Sequence, residues 1–129
     1  MITPDGRERR RWPRLEERKH TNIVVVSAPF APMLEGRRYC CFTEDLSVGG
    51  VRFCLDSDIP LSSILRMDIE MDGPDGGVIQ HMGRVAWEQE FENGANGARW
   101  LGVEIIETLG GVESLQHWQR VASGRNGVA

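Results

Sequence analysis

Hydrophobic and polar positions alternate most cleanly over residues 64–71. Leu65, Met67, Ile69 and Met71 are apolar, and Arg66, Asp68 and Glu70 between them are charged. Successive side chains of a strand point to opposite faces, so this pattern predicts a β-strand with one buried face. Val51, Phe53 and Leu55 alternate with Arg52 and Cys54 in the same way, and Leu101, Val103 and Ile105 alternate with Trp100, Gly102 and Glu104. The β-branched run Ile23-Val24-Val25-Val26 predicts another short strand, residues 37–43 a further one, and residues 78–90 a long one bent at Gly83. Turn formers separate them: Pro29 and Pro32 within 27–36, Gly49-Gly50 closing 45–50, then 56–60, 72–77 and 92–97. After Gly110-Gly111 the period changes. Val112, Leu115, Trp118 and Ala122 fall at helical spacing, with Gly124 as terminator.

Six short strands followed by one helix predict a mainly β fold: a six-stranded antiparallel β-barrel with a C-terminal α-helix over one mouth or side. At 129 residues the chain is expected to form one domain. The expected organisation is a disordered tail at 1–6, a domain over 7–122 and a second disordered tail at 123–129. Within the domain, 7–19 form a flexible basic arm, 22–107 the barrel and 110–122 the helix. The arm is expected to be flexible because it has no apolar period and Pro13 biases Trp12 away from helix.

Charge sharpens this picture. Residues 7–19 hold seven Lys or Arg against three Glu, net +4, so the remainder of a chain whose total is −4 carries −8. Proteins that grip long DNA or RNA usually spread basic charge over a face. A short basic arm on an acidic body instead favours a compact anion or an acidic partner, and no DNA or RNA is expected. No apolar run is long enough for a membrane span, so no membrane insertion is expected. The start Met-Ile-Thr-Pro-Asp-Gly lacks the apolar middle of a secretory signal. Cys40, Cys41 and Cys54 are odd in number and form no CxxC, which fits reduced thiols and a cytoplasmic location.

Two motifs carry the candidate chemistry. One is Arg-x-x-x-Arg at Arg10 and Arg14; the other is Asp-x-Ser-x-x-Gly at Asp45, Ser47 and Gly50, followed by Val51-Arg52-Phe53. The register of the first is ambiguous, because Arg7–Arg11 and Arg14–Arg18 share the spacing. The Trp12-Pro13 pair before Arg14 favours Arg10 and Arg14, because the family that the two motifs resemble usually has an aromatic before its second arginine. Together the motifs resemble the PilZ domain family, bacterial receptors for cyclic di-GMP, over roughly residues 8 to 122. Gly83-Arg84-Val85-Ala86-Trp87 and Trp100-Leu101-Gly102-Val103-Glu104-Ile105 also resemble family strands. The resemblance implies the same barrel, C-terminal helix and N-terminal arm.

It also implies a ligand that these residue types suit. Guanine's Hoogsteen edge offers two acceptors, which an arginine fork meets at once, and the fork equally suits phosphate. Arg9, Arg10 and Arg14 would supply such forks. Asp45 would accept from guanine's N1–H and 2-amino group, a donor pair that adenine lacks. Ser47 supplies a hydroxyl, and Gly50 permits positive φ or close backbone approach. Turn formation alone would also explain Asp45, Ser47 and Gly50. Family members with arginine just before Arg-x-x-x-Arg, here Arg9, can hold two stacked ligand molecules, so two per chain are expected. Trp87 either stacks on a guanine or belongs to the barrel core. Trp100 and Trp118 are expected to pack, and Gly102 to be structural.

No nucleophile and base can be paired by spacing, and His20, His81 and His117 lack metal-ligand spacing. The expectation is therefore a non-enzymatic receptor or adaptor, with no cofactor. It would order its arginine arm onto the barrel and signal through an unidentified downstream protein. The competing reading is a PilZ-like protein-interaction module that binds no nucleotide. A small RNA-binding barrel is a weaker third.

Overall fold

A computed structural model describes residues 18–56, 58–71, 76–90 and 98–123. The expected tails, apart from Ser123, and the arm as far as residue 17 lie outside these described residues. The strands are β1 (His20–Ser27), β2 (Arg38–Ser47), β3 (Gly50–Asp56), β4 (Ile64–Met71), β5 (Gly77–Glu90) and β6 (Ala98–Thr108), followed by helix α1 (Gly111–Ala122). The strands close an antiparallel barrel in the order β1-β2-β3-β6-β5-β4. Among the described residues no helix is long and apolar enough to cross a membrane.

The alternating positions fill the barrel as the sequence predicts. Val51, Phe53 and Leu55 of β3, Leu65, Met67 and Ile69 of β4, and Leu101 and Val103 of β6 all belong to one buried core. Burying each large apolar side chain contributes roughly 1.5–3 kcal/mol, which fixes the register, because a one-residue slip would turn a whole face to water. Gly83 lies inside: a Cβ there would meet the Val103 and Met67 side chains within 2.8 Å.

Helix α1 departs from its expected stripe. Trp118, Val121 and Ala122 are buried, but Val112 and Leu115 remain 68% and 40% exposed. Trp118 carries the docking. Its ring is fully buried, meets the His81 ring edge-on at 4.3 Å, and donates from Nε1 to the Val48 carbonyl at 3.1 Å. The helix thus caps the barrel end that bears the β2–β3 hairpin. Burial holds His81 neutral, with its pKa lowered to about 4. Its Nδ1 meets Thr108 Oγ1 at 3.0 Å, while Nε2 has no partner among the described residues.

Two expectations about the hairpin and the first loop change. Asp45–Gly50 is not all turn. Asp45, Leu46 and Ser47 end β2, Gly50 opens β3 opposite Ser47, and only Val48-Gly49 connect them. The ladder wins over local turn propensity because Leu46 and Val51 bury side by side. Residues 28–37 form a braced loop rather than a plain one. It holds a short 3-10 turn at Pro32–Leu34, and Glu35 Oε2 accepts the Ala28 N–H at 2.9 Å.

Candidate functional site

Alternation alone would place Asp45 on the same face as inward-facing Thr43, and Trp87 on the same face as Val85. Two bulges prevent this. Between Thr43 and Asp45, β2 advances two residues while β3 advances one, so Asp45 lies opposite Arg52 rather than inside. Between Val85 and Trp87, β5 does the same against β6, so Trp87 lies opposite Gly102. An extra residue in one strand reverses side-chain direction beyond it. Each bulge therefore moves one functional candidate from the core to the outer face.

The outcome is one continuous row across four strands. Asp45 of β2 pairs with Arg52 of β3, Arg52 with Gly102 of β6, and Gly102 with Trp87 of β5. Arg52 Nη2 reaches Asp45 Oδ2 at 3.1 Å, and the guanidinium lies 4.4 Å over the Trp100 ring. Asp45 is only 5% exposed although it faces outward, because its neighbours cover it. Arg52 Nε is buried with no partner among the described residues. Trp87 is half-buried and packs against Gly102, where a Cβ would sit 2.0 Å from the indole. Gly102 is structural as expected, and the reason is this close approach. Trp87 belongs to the outer face and not to the barrel core.

Ser47 and Gly50 stand beside this row. The Ser47 hydroxyl donates weakly to the Gly50 carbonyl at 3.4 Å. A Cβ on Gly50 would come within 3.0 Å of the Val103 carbonyl, so the position needs glycine for close approach and not for positive φ. The turn between them is held from both sides: Val48 by Trp118, and Gly49 through its carbonyl, which accepts the Ile105 N–H at 2.9 Å.

The chain that leads from the basic arm enters at the same place. Lys19 N–H donates to Thr43 Oγ1 at 2.8 Å, and the Thr43 N–H donates to the Lys19 carbonyl at 2.9 Å. Arg18 follows the β2 outer face, 3.5 Å from Glu44 and 5.3 Å over the Phe42 ring. A cleft of about 440 Å³ opens there between diverging β2 and β3, lined among others by Arg18, Phe42, Glu44 and Cys54. The cleft adjoins the Asp45–Arg52 row and faces the same side. Arg9, Arg10 and Arg14 precede this anchor and lie outside the described residues.

Residues 8–117 match the PilZ domain. The chain belongs to the PilZ domain family. Two solved structures share its fold. "Structure of Bacillus subtilis Inhibitor of motility (MotI/DgrA)" aligns with a TM-score of 0.69 at 14% identity, over 96% of this chain. This chain spans 55% of that protein's length. "PilZ domain with c-di-GMP of YcgR from Escherichia coli" aligns with a TM-score of 0.56 at 16% identity, covering 93% of this chain and 95% of that one. No curated protein matches the chain.

Within this PilZ barrel, two residues join the candidate site that the sequence reading left aside, Arg52 and Trp100. The signal for Arg52 was present. A two-residue turn at Val48-Gly49 pairs Ser47 with Gly50, Leu46 with Val51 and Asp45 with Arg52 by counting alone. Arg84 and Arg99 stand apart from the row: Arg84 bonds Glu104 at 2.8 Å, and Arg99 bonds Glu88.

Proposed function

We propose that this PilZ-family chain is a non-enzymatic receptor for cyclic di-GMP, bound on the outer barrel face and closed over by its N-terminal arginines. The observation that carries the reading is the Asp45–Arg52–Gly102–Trp87 row, beside Ser47 and Gly50 and next to the point where the arm joins the barrel. The solved PilZ domain of YcgR with c-di-GMP supports the choice of ligand.

Each part has a chemical task. Asp45 accepts from the N1–H and 2-amino edge of a guanine, and Arg52 holds that carboxylate in place from the side. Trp87, backed by Gly102, offers a flat surface for a base; such stacking contributes about 1–3 kcal/mol. Ser47 and the open backbone at Gly50 admit the ribose-phosphate ring close to the sheet. Arg10 and Arg14 supply forks for the Hoogsteen edge and phosphates, each good bidentate pair contributing roughly 1–3 kcal/mol. Reach permits this: the four residues from Arg14 to Arg18 span at most about 14 Å, and the eight from Arg10 about 28 Å. Arg9 provides a further fork, which fits two stacked ligands per chain. Closing the arm changes the charge and shape of this face, and an unidentified partner protein reads the change. In this reading the protein acts in the cytoplasm and binds no nucleic acid.

Calorimetric titration with cyclic di-GMP tests the assignment. Saturable heat is expected, with a stoichiometry of two ligands per chain. Arg10→Ala or Arg14→Ala should weaken binding at least tenfold, and Arg18→Ala should change it little. A folded protein that gives no heat overturns the ligand; loss at Arg18 alone overturns the choice of arginines.

A further inference from the structure

Away from the row, the outer face of β1, β2 and β4 brings three reactive side chains into line. β1 pairs with both neighbours, so His20 sits beside Phe42 of β2, and Asn22 lies between Cys40 of β2 and Asp68 of β4. His20 and Cys40 are diagonal neighbours on one face. His20 Nε2 lies 3.0 Å from Cys40 Sγ, and His20 Nδ1 lies 3.2 Å from Glu70 Oε2. The sequence spacing hid this, since Cys40 and Glu70 are 20 and 50 positions from His20.

The carboxylate fixes the imidazole's role. An ionised carboxylate only accepts, so Nδ1 carries the proton toward Glu70 and neutral His20 presents an unprotonated Nε2 to the thiol. A nucleophile, a base in contact with it and a third group orienting the base form the arrangement that activates a thiol. The Cys40 thiol has a second acceptor, Asn22 Oδ1, at 3.2 Å, but the imidazole is nearer. Cys40 is exposed, and a shallow cleft of about 250 Å³ lined by Asn22, Arg38 and Cys40 opens beside it.

The other two thiols differ. Burial pushes Cys41 up to about 12, helped by the neighbouring Cys40 and Cys54. Cys54 is also raised, by desolvation first and then by Glu44. Neither has an imidazole hydrogen bond among the described residues.

We propose that Cys40, activated by His20 and Glu70, is a modification site that hydrogen peroxide oxidises to a sulfenic acid. His20 Nε2 takes the thiol proton as the sulfur attacks one peroxide oxygen. The S–O bond forms, the O–O bond breaks, and the proton passes to the departing hydroxide to give water. Sulfur loses two electrons and the peroxide gains them. The product lies in the cleft where Arg18 follows β2, so oxidation would alter the surface at the arm's point of attachment.

Treating the folded full chain with hydrogen peroxide, trapping sulfenic acid with a cyclic 1,3-diketone and mapping peptides by mass tests this. At pH 7, Cys40 should label at least tenfold faster than Cys54. His20→Gln should lower the Cys40 rate at least tenfold, and Glu70→Gln several-fold, with far-ultraviolet circular dichroism and thermal midpoint little changed. Equal labelling of Cys40 and Cys54 overturns the proposal. So does an unchanged Cys40 rate in a folded His20→Gln protein. Should that variant fail to fold, the exposed Glu70→Gln protein decides: an undiminished rate there overturns it as well.

Discussion

Two parts of the barrel handle alternation differently. β4 pairs with β5 over eight consecutive positions without a register shift, and its sequence reads as a strand at sight. β2 and the far half of β5 each carry one extra residue, and that is where Asp45 and Trp87 turn outward. The regular pair makes core; these two interruptions, unlike those at Val25–Ser27 and Met82–Gly83, make a site. A polar or flat aromatic side chain needed on the surface of a closed barrel can be aimed there by one bulge without sacrificing the packed interior on either side.

Undoing a bulge should have the largest effect. Inserting an alanine between Arg52 and Phe53 gives β3 a residue to match Glu44, so strict pairing puts Asp45 and Arg52 on the same face as Thr43 and Phe53, inside the barrel. An ion taken from water without full compensation costs several kcal/mol. Urea unfolding should then show a protein that is largely unfolded at room temperature or has lost several kcal/mol. A folded, equally stable insertion variant would mean the bulge is incidental.

Acid probes the regular interior. His81 is buried with its folded pKa depressed to about 4 from an ordinary value of 6.5. Between these values the unfolded chain binds the proton and the folded one does not, so stability must fall as pH drops through that window. The loss approaches roughly 3 kcal/mol across the full interval. His81→Leu should flatten the stability profile between pH 6.5 and 5, measured by urea midpoints, while leaving the outer row in place.

Gly102→Ala sharpens the contrast at the site. The new methyl falls 2.0 Å from the Trp87 indole, so the ring must lift off the sheet. Overpacking of this kind costs about 1–3 kcal/mol, and tryptophan emission should shift to the red as Trp87 meets water. A smaller effect is expected of Trp118→Phe, which keeps an aromatic ring but removes the hydrogen bond to Val48 and leaves a small void. The loss of about 1 kcal/mol in urea unfolding should come with faster amide exchange at Val48 and Gly49.

Much of the fold was legible because period and burial agree over β3, β4 and β6. All six strands and the helix lie where alternation and helical spacing put them. The bulges were not legible, since one inserted residue leaves no compositional mark: Thr43-Glu44-Asp45 and Val85-Ala86-Trp87 are ordinary strand sequences. That is why the sequence alone allows Trp87 as core or surface, and Asp45 as part of a turn. Helix α1 was overread in the opposite direction. Spacing placed Val112 and Leu115 on the buried stripe, but the barrel mouth is narrow enough that Trp118 with Val121 and Ala122 closes it. The Glu70–His20–Cys40 alignment was invisible for a simpler reason: it depends on which strands neighbour β1.

The central claim is that the outward-turned row is where a guanine dinucleotide binds. Titrating cyclic di-GMP into wild type, Asp45→Asn and Trp87→Ala side by side tests it most directly. Saturable binding by wild type, with each variant folded and weakened at least tenfold, is the predicted result. Two folded variants that bind as tightly as wild type would contradict it.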